Sequence, residues 1–157
     1  MTIGGALFLA TCGTGAPDRQ RVTDTVTTTP PSLRFELLAP ADAATGDPVA
    51  ITLRLTNTSE RPVELHLVGR TIAFDIVIAC EGGAVVWGRL AGATVQGILQ
   101  IRMLAPGETL ELKDVWRQQD GSGKRVPAGT YILHGVLPTD EPQPLRTPPV
   151  ELRITPS

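Results

Sequence analysis

The sequence predicts an antiparallel β-sandwich, and three observations support that prediction. Apolar and polar residues alternate over many short segments, which sends one set of side chains to a core and the other to water. Turn-forming residues separate these segments at intervals of roughly ten residues, and the 157 residues include 16 glycines and 14 prolines. No segment has the clear periodicity of an amphipathic helix. Two packed sheets therefore fit the pattern better than alternating strands and helices.

Nine segments have the alternation or the continuous hydrophobicity of a strand. Alternation is clearest over 49–56 and 150–155. Residues 74–79 are more continuously apolar, as expected of a strand that is covered on both faces, and Glu81-Gly82-Gly83 makes a tight turn after them. The predicted strands cover residues 33–38, 49–56, 63–68, 74–79, 85–87, 98–104, 109–116, 131–136 and 150–155.

The N-terminus resembles an export signal. Residues 3–11 are apolar and uncharged, and Cys12 follows them. The run is too short to span a bilayer, which takes about 20 residues, but it matches the apolar region of a signal peptide. Leu9-Ala10-Thr11 before the cysteine resembles a bacterial lipobox, which predicts lipidation of Cys12. Thr11 and the absence of basic residues depart from that pattern, so a frayed apolar terminus or a short strand is the alternative.

A segment rich in threonine, proline and glycine follows over residues 13–32. It has too few large apolar residues to offset the entropy lost on ordering, so we expect a disordered tether. Its threonine run could instead form an edge strand. The predicted organisation is a signal or anchor segment over 1–12, the linker, and a sandwich domain over 33–157. This predicts a membrane-anchored lipoprotein or a secreted or periplasmic protein, with a cytoplasmic protein as the alternative.

Composition and motifs argue against several function classes. The net charge of −2 and the scattered basic residues give no electrostatic basis for binding nucleic acid. The two histidines, His66 and His134, lie in predicted strands among apolar neighbours, and no serine has the Gly-x-Ser-x-Gly context of a nucleophile. The carboxylates lack the spacing of a calcium loop. We therefore expect no catalytic residues, no metal and no cofactor, and a protein that is not an enzyme.

The cysteine and the tryptophans of the domain have structural interpretations. Cys80 precedes the Glu-Gly-Gly turn and is interpreted as a buried, inert thiol. A disulfide between Cys12 and Cys80 is the alternative in an oxidising compartment, and lipidation of Cys12 would exclude it. Trp87 and Trp116 end two predicted strands, so we expect them to pack in the core or at an end of the sandwich.

Five elements follow one another within residues 50–137: AITLRLTNTSERPVELHLVGRTIAFDIVI, GGAVVWGRL, LAPGETLEL, VWRQQ and PAGTYILHGVL. In this order they resemble the BsuPI family of bacterial intracellular proteinase inhibitors. The chain departs from the family pattern where Ala73-Phe74-Asp75-Ile76 occupies an aromatic-Asp-Phe cluster. It departs again where Gly88-Arg89-Leu90 follows the first tryptophan. The resemblance implies an Ig-like sandwich and, for the founding members, inhibition of a subtilisin-type serine protease.

These observations predict a non-catalytic protein-binding domain of about eight or nine strands. The resemblance implies that its protein partner is a serine protease, and membrane contact is expected only through an N-terminal lipid anchor. The alternative is a structural or accessory domain of an envelope lipoprotein without inhibitory activity. Two loops are candidates for the partner, Gly88–Gly97 and Pro138–Pro149, and the five prolines of the second are expected to keep it out of any ladder. The candidate contact residues are Arg89, Leu90, Thr94 and Gln96.

Overall fold

The computed structural model describes residue 30 and residues 32–157. The predicted anchor segment and, apart from Pro30 and Ser32, the predicted linker lie outside the described residues. Their boundaries and the lipidation of Cys12 therefore stay predictions. The strands of the described residues are β1 Leu33–Leu38, β2 Asp42–Ala44, β3 Val49–Asn57, β4 Val63–Val68, β5 Asp75–Cys80, β6 Val85–Gly88, β7 Leu99–Leu104, β8 Thr109–Trp116, β9 Gly129–Leu137, β10 Leu145–Arg146 and β11 Val150–Thr155.

The strands form two main sheets and a two-stranded ribbon. One sheet has the order β1-β3-β8, and the other has the order β2-β11-β9-β5-β6, with β10 paired to β9. The ribbon consists of β4 and β7. All these pairings are antiparallel except that of β2 with β11, which is parallel. The predicted all-β, Ig-like sandwich is confirmed, and each of the nine predicted strands is present.

The two additional strands are short, and one of them corrects a prediction. The prolines of 138–149 do not prevent ladder pairing, because Leu145 pairs with Leu137 and Arg146 pairs with Val136. Both paired residues retain the backbone N–H that proline lacks, and Leu145 is buried. The other strand, β2, has the sequence Asp-Ala-Ala, whose low β-propensity gives no signal of a strand.

The core lies between the two main sheets. The alternate residues Val49, Ile51, Leu53 and Leu55 of β3 are at most 1% exposed. Gly135 of β9 lies against Leu53 of the facing sheet, and an added Cβ would lie 2.4 Å from a methyl carbon of Leu53. A larger residue at this position would therefore force the Leu53 side chain to move within a closely packed core.

An aromatic cluster closes one end of the sandwich. The Trp116 ring lies 6.5 Å from the Trp87 ring and 5.8 Å from the Tyr131 ring, between centroids. The hydroxyl of Tyr131 donates a hydrogen bond to the carbonyl of Pro127 at 2.7 Å, as in the tyrosine corner of Ig-like sandwiches. The indole N–H of Trp116 donates to the carbonyl of Gln119 at 2.8 Å. The predicted packing of both tryptophans is thus confirmed.

Asn57 holds the corner at which the β3–β8 ladder passes into the β4–β7 ribbon. Its side chain is fully buried and donates to the carbonyls of Arg61 at 2.7 Å and Leu104 at 2.9 Å. Its Oδ1 accepts from the backbone N–H of Ser59 at 2.9 Å and from the Ser59 hydroxyl at 2.7 Å. One side chain therefore holds the chain on both sides of the corner. The asparagine of the first family element thus serves the fold.

Gln118 has a similar role at the other end of β8. It is fully buried, with a φ of 55°. Its Oε1 accepts from the N–H of Gly46 at 2.8 Å, and its Nε2 donates to the carbonyls of Ala44 and Asp47 at 2.8 Å each. These bonds satisfy backbone N–H and C=O groups of the turn between β2 and β3. The Gln118 of the VWRQQ element therefore also serves the fold.

Cys80 ends β5 and is 7% exposed. It is disulfide-bonded, so its interpretation as an inert thiol is wrong. The other cysteine of the chain, Cys12, lies outside the described residues. Within residues 32–157, no helix is long and apolar enough to cross a membrane.

Candidate functional site

Arg89 anchors the first candidate loop where it leaves β6. Its Nε donates to Oδ2 of Asp114 on β8 at 2.5 Å, and its Nη1 donates to the carbonyl of Phe74 at 2.9 Å. Its guanidinium carbon lies 3.8 Å from the centre of the Phe74 ring, a cation–π contact. The Arg89 and Asp114 side chains are 30% and 34% exposed. Arg89 therefore joins the two sheets at the base of the loop.

The two departures from the family pattern meet at this base. The N–H of Leu90 donates to Oδ1 of Asp75 at 2.9 Å, and the N–H of Arg89 donates to the carbonyl of Ile76 at 3.1 Å. The segment 73–76 therefore supports the segment 88–90 through side-chain and main-chain bonds. Sequence spacing gave no signal of this contact, because it depends on how the end of β6 lies beside β5.

Hydrogen bonds within the loop shape its exposed part. The N–H of Ala91 donates to the carbonyl of Gly88 at 3.1 Å, and the N–H of Ala93 donates to the carbonyl of Leu90 at 2.9 Å. Gly92 lies between these turns with a φ of 74°, a conformation that glycine adopts readily. Residues 91–97 are exposed. The loop thus combines exposure with a defined backbone.

The far end of the loop is tied to the turn after β4. The carbonyl of Ile98 accepts from the N–H of Gly69 at 2.7 Å. The side-chain amide of Gln100 donates to the carbonyls of Gly69 and Arg70, the second at 2.8 Å. Both ends of the loop are therefore fixed to the sandwich.

A groove lies between this loop and the turn after β4. Its volume is about 280 Å³, and residues 69–73 line one side while residues 89–90 and 93–96 line the other. We call it the loop groove. The four candidate contact residues, Arg89, Leu90, Thr94 and Gln96, all line it, so the structure brings the predicted set together.

The charged side chains of the loop groove are both arginines. They are Arg70 and Arg89, and Arg89 is paired with Asp114. General acid–base catalysis would need a titratable acid or base in reach of a substrate, and the lining residues include no carboxylate or histidine. In the part of the chain that the structure describes, no three His, Cys, Asp or Glu side chains form a group that could hold a metal.

The second candidate loop does not line the loop groove and is tied to the sandwich elsewhere. Oδ2 of Asp140 lies 2.6 Å from Nδ1 of His66, and Oε1 of Glu64 lies 2.6 Å from its Nε2. Glu64 first and then Asp140 raise the pKa of His66. Later in the loop, the buried Thr147 accepts at Oγ1 from the N–H of Gly135 at 2.9 Å. Its longest exposed stretch is residues 140–143.

Sequence reasoning missed one exposed surface that begins where the first loop ends. Leu99, Ile101 and Met103 of β7 are 50%, 64% and 52% exposed. They alternate with Gln100 and Arg102, a pattern that ordinarily places the apolar set in the core. The structure places them outside, because the opposite face of the ribbon already supplies Leu65, Leu67 and Leu104 to the core.

Solved structures similar to the chain share little sequence with it. The CARDB domain of a Pyrococcus furiosus protein, in complex with di-metal ions, is 10% identical, with a TM-score of 0.42 over 80% of this chain and 94% of that one. The Pseudomonas fluorescens alkylpurine DNA glycosylase AlkC, bound to DNA containing an abasic site analog, is 17% identical, with a TM-score of 0.43 over 78% and 30%. A Listeria innocua β-glucosidase is 10% identical, with a TM-score of 0.40 over 80% and 16%.

A family model shows the relationship that the sequence resemblance predicted. No curated protein matches the chain. The model of the BsuPI family, described as intracellular proteinase inhibitor, matches residues 38–142, well over half of the chain. That range contains the Asn57 corner, the loop groove and β7. The chain belongs to the BsuPI family.

Proposed function

We propose that this protein is a non-catalytic inhibitor of a subtilisin-type serine protease and that it binds the protease through residues 90–97. Membership of a family of proteinase inhibitors supports the class of function. The observation that carries the choice of loop is its anchoring: residues 91–97 are exposed, while the Arg89–Asp114 pair and the Gly69–Ile98 bond fix the two ends. A pre-ordered loop loses little entropy when it binds.

The proposed binding mode separates positioning from contact. Arg89 is a positioning residue, because its guanidinium is engaged with Asp114 and Phe74. Leu90, Thr94 and Gln96 line the loop groove and would contact the protease directly. The extended part of the loop would pair with the main chain of the protease cleft, as an added strand does, while the groove would accept one protease side chain.

Inhibition is tested directly with the full chain and a subtilisin-type protease. Residual hydrolysis of a chromogenic peptide is measured against inhibitor concentration, and a dose-dependent loss of activity at a fixed stoichiometry is expected. No inhibition by the wild-type chain would contradict the proposal and favour the accessory-domain alternative.

Loop replacements locate the binding surface. Replacing residues 91–96 by a Gly-Ser segment is expected to weaken inhibition by about 100-fold or more, because the contacts and the pre-ordering are both lost. Replacing the exposed residues 140–143 in the same way is the matched control and should leave inhibition unchanged. If neither replacement changes the affinity, binding through the first loop is refuted. If only the control replacement weakens inhibition, the second loop is the contact surface.

We further propose that the protein acts outside the cytoplasm. The apolar residues 3–11 before Cys12 support this location, and a disulfide at Cys80 is typical of oxidising compartments. Intact-mass spectrometry of protein from the native membrane fraction tests the proposal. A chain that begins at Cys12 and carries a diacylglycerol would support a lipoprotein, and that thioether would exclude a disulfide at Cys12. A chain that begins at Met1 or Thr2 in the soluble fraction would favour the cytoplasm.

A further inference from the structure

The β7 strand presents an apolar face beside an edge to which no other described strand pairs. Among the described residues, β7 pairs with β4 alone. Its outward side chains Leu99, Ile101 and Met103 are at least half exposed, and their spacing of two places them on one face of the ribbon. An exposed apolar stripe on a soluble domain indicates an interaction site.

This edge lacks the features that normally protect an edge strand from pairing with another chain. Prolines, bulges and charges serve that purpose in most sheets. β7 contains no proline or glycine, and its register with β4 is continuous from Leu99 to Leu104. Its one charged side chain, Arg102, points to the opposite face and lies 3.7 Å from Glu108 of its own chain.

We infer that a second copy of this chain covers the β7 edge, with the two β7 strands antiparallel about a two-fold axis at Ile101. In that register Ile101 faces its own copy and Leu99 faces Met103 on both sides of the axis. Gln100 then faces Arg102 on the opposite face, so no like charges meet. The pattern of β7 is therefore complementary to itself in both hydrophobicity and charge, as an isologous interface requires.

Other registers lose this complementarity. A two-fold axis at Arg102 would place the two arginines directly opposite each other, and like charges at that position are destabilising. An axis at Gln100 would leave Met103 without an apolar partner. An axis between two residues would shift the pairing by one residue, and such a shift moves every side chain to the other face of the sheet. The apolar side chains of one copy would then lie beside the polar side chains of the other.

The inferred dimer does not depend on the proposed inhibitory function. Antiparallel pairing places the two copies of residues 91–97 at opposite ends of the paired strands. Six residues of strand separate these ends by about 20 Å. Each loop therefore stays accessible whether or not it binds a protease.

Sedimentation equilibrium of the full chain tests the inference over protein concentrations from about 1 μM to about 500 μM, a range that detects weak dimers. The wild-type chain is expected to show a monomer–dimer equilibrium. Ile101→Lys places two cations on the axis, and we expect it to weaken the dimer on the order of 100-fold. Val85→Lys on β6 is the matched control, because Val85 is 65% exposed and Ile101 is 64% exposed; it should dimerise as the wild type does.

Three results would overturn the inference: a wild-type chain that stays monomeric at every concentration, an Ile101→Lys variant that dimerises normally, or a Val85→Lys variant that is equally impaired. A second variant tests the register without adding charge. Ile101→Cys should form an interchain disulfide between the introduced thiols under mild oxidation, because directly opposite Cβ atoms lie about 5 Å apart. Peptide mapping separates this product from bonds to the native cysteines, and Val85→Cys should not form it.

Discussion

Replacing Arg89 tests whether it positions the candidate loop or contacts the partner itself. In the structure its guanidinium is held by Asp114, by the carbonyl of Phe74 and by the Phe74 ring. We therefore expect Arg89→Met to destabilise the fold as well as to weaken protease binding. A residue that only contacted the partner would affect binding and leave the stability of the free protein unchanged.

The magnitude follows from the environment of the ion pair. Exposed pairs contribute about 0.2–1 kcal/mol, and breaking a fully buried pair costs about 3–5 kcal/mol. The Arg89 and Asp114 side chains are about one-third exposed, so a coupling free energy of about 1–2 kcal/mol is expected between them. Arg89→Met also removes the contact with the Phe74 ring, worth about 0.5–1 kcal/mol, and a hydrogen bond worth about 1 kcal/mol. Its total cost should be about 2.5–4 kcal/mol.

A double-mutant cycle measures this coupling. Urea unfolding of the wild type, Arg89→Met, Asp114→Asn and the double variant can be followed by tryptophan fluorescence, since Trp116 is buried. The coupling free energy is the amount by which the two single changes fail to add. A coupling below about 0.3 kcal/mol, within the error of additivity, would refute the role of the Arg89–Asp114 pair in positioning the loop.

Two further predictions concern the core and the histidines. Gly135→Ala should destabilise the domain by about 1–3 kcal/mol through overpacking against Leu53, while Gly82→Ala, with open space around it, should not; equal urea midpoints would contradict this. His66 should titrate at a higher pH than His134 in a two-dimensional NMR titration, because carboxylates raise the pKa of His66 while burial lowers the pKa of His134. The stabilisation from His66 should be present below about pH 6.5 and lost as the pH rises through its raised pKa. If His134 instead titrated at the higher pH, the carboxylates would not be holding the proton on His66.

The sequence predicted the sandwich well because hydrophobic alternation records which face of a strand is buried. Val49, Ile51, Leu53 and Leu55 are apolar for that reason, and all four are in the core. The alternation failed to report β2 and β10, since two or three residues are too few to show a period. Their pairing depends on tertiary contacts, such as the bonds from Gln118 to the turn after β2.

The candidate site could be predicted only in part. The sequence placed Leu90, Thr94 and Gln96 in one loop, and the structure places them on one groove. It gave no signal that Arg89 reaches Asp114, because these residues are 25 positions apart and come together only when two sheets pack. At β7 the sequence pattern was misleading. Alternation of apolar and polar residues suggests that the apolar face is buried, but the same alternation occurs here with the apolar face exposed.

The residues that stabilise this fold differ from those that we propose for recognition. The elements that carry the family resemblance contain Asn57 and Gln118, whose buried amides satisfy turns, and Gly135, which allows the sheets to approach. The exposed residues 91–97 and the outer face of β7 contribute no side chain to the buried core. Changes there should therefore alter binding or self-association without unfolding the domain. Arg89 is the exception that links the two sets, since it stabilises the sandwich and sets the path of the loop at the same time.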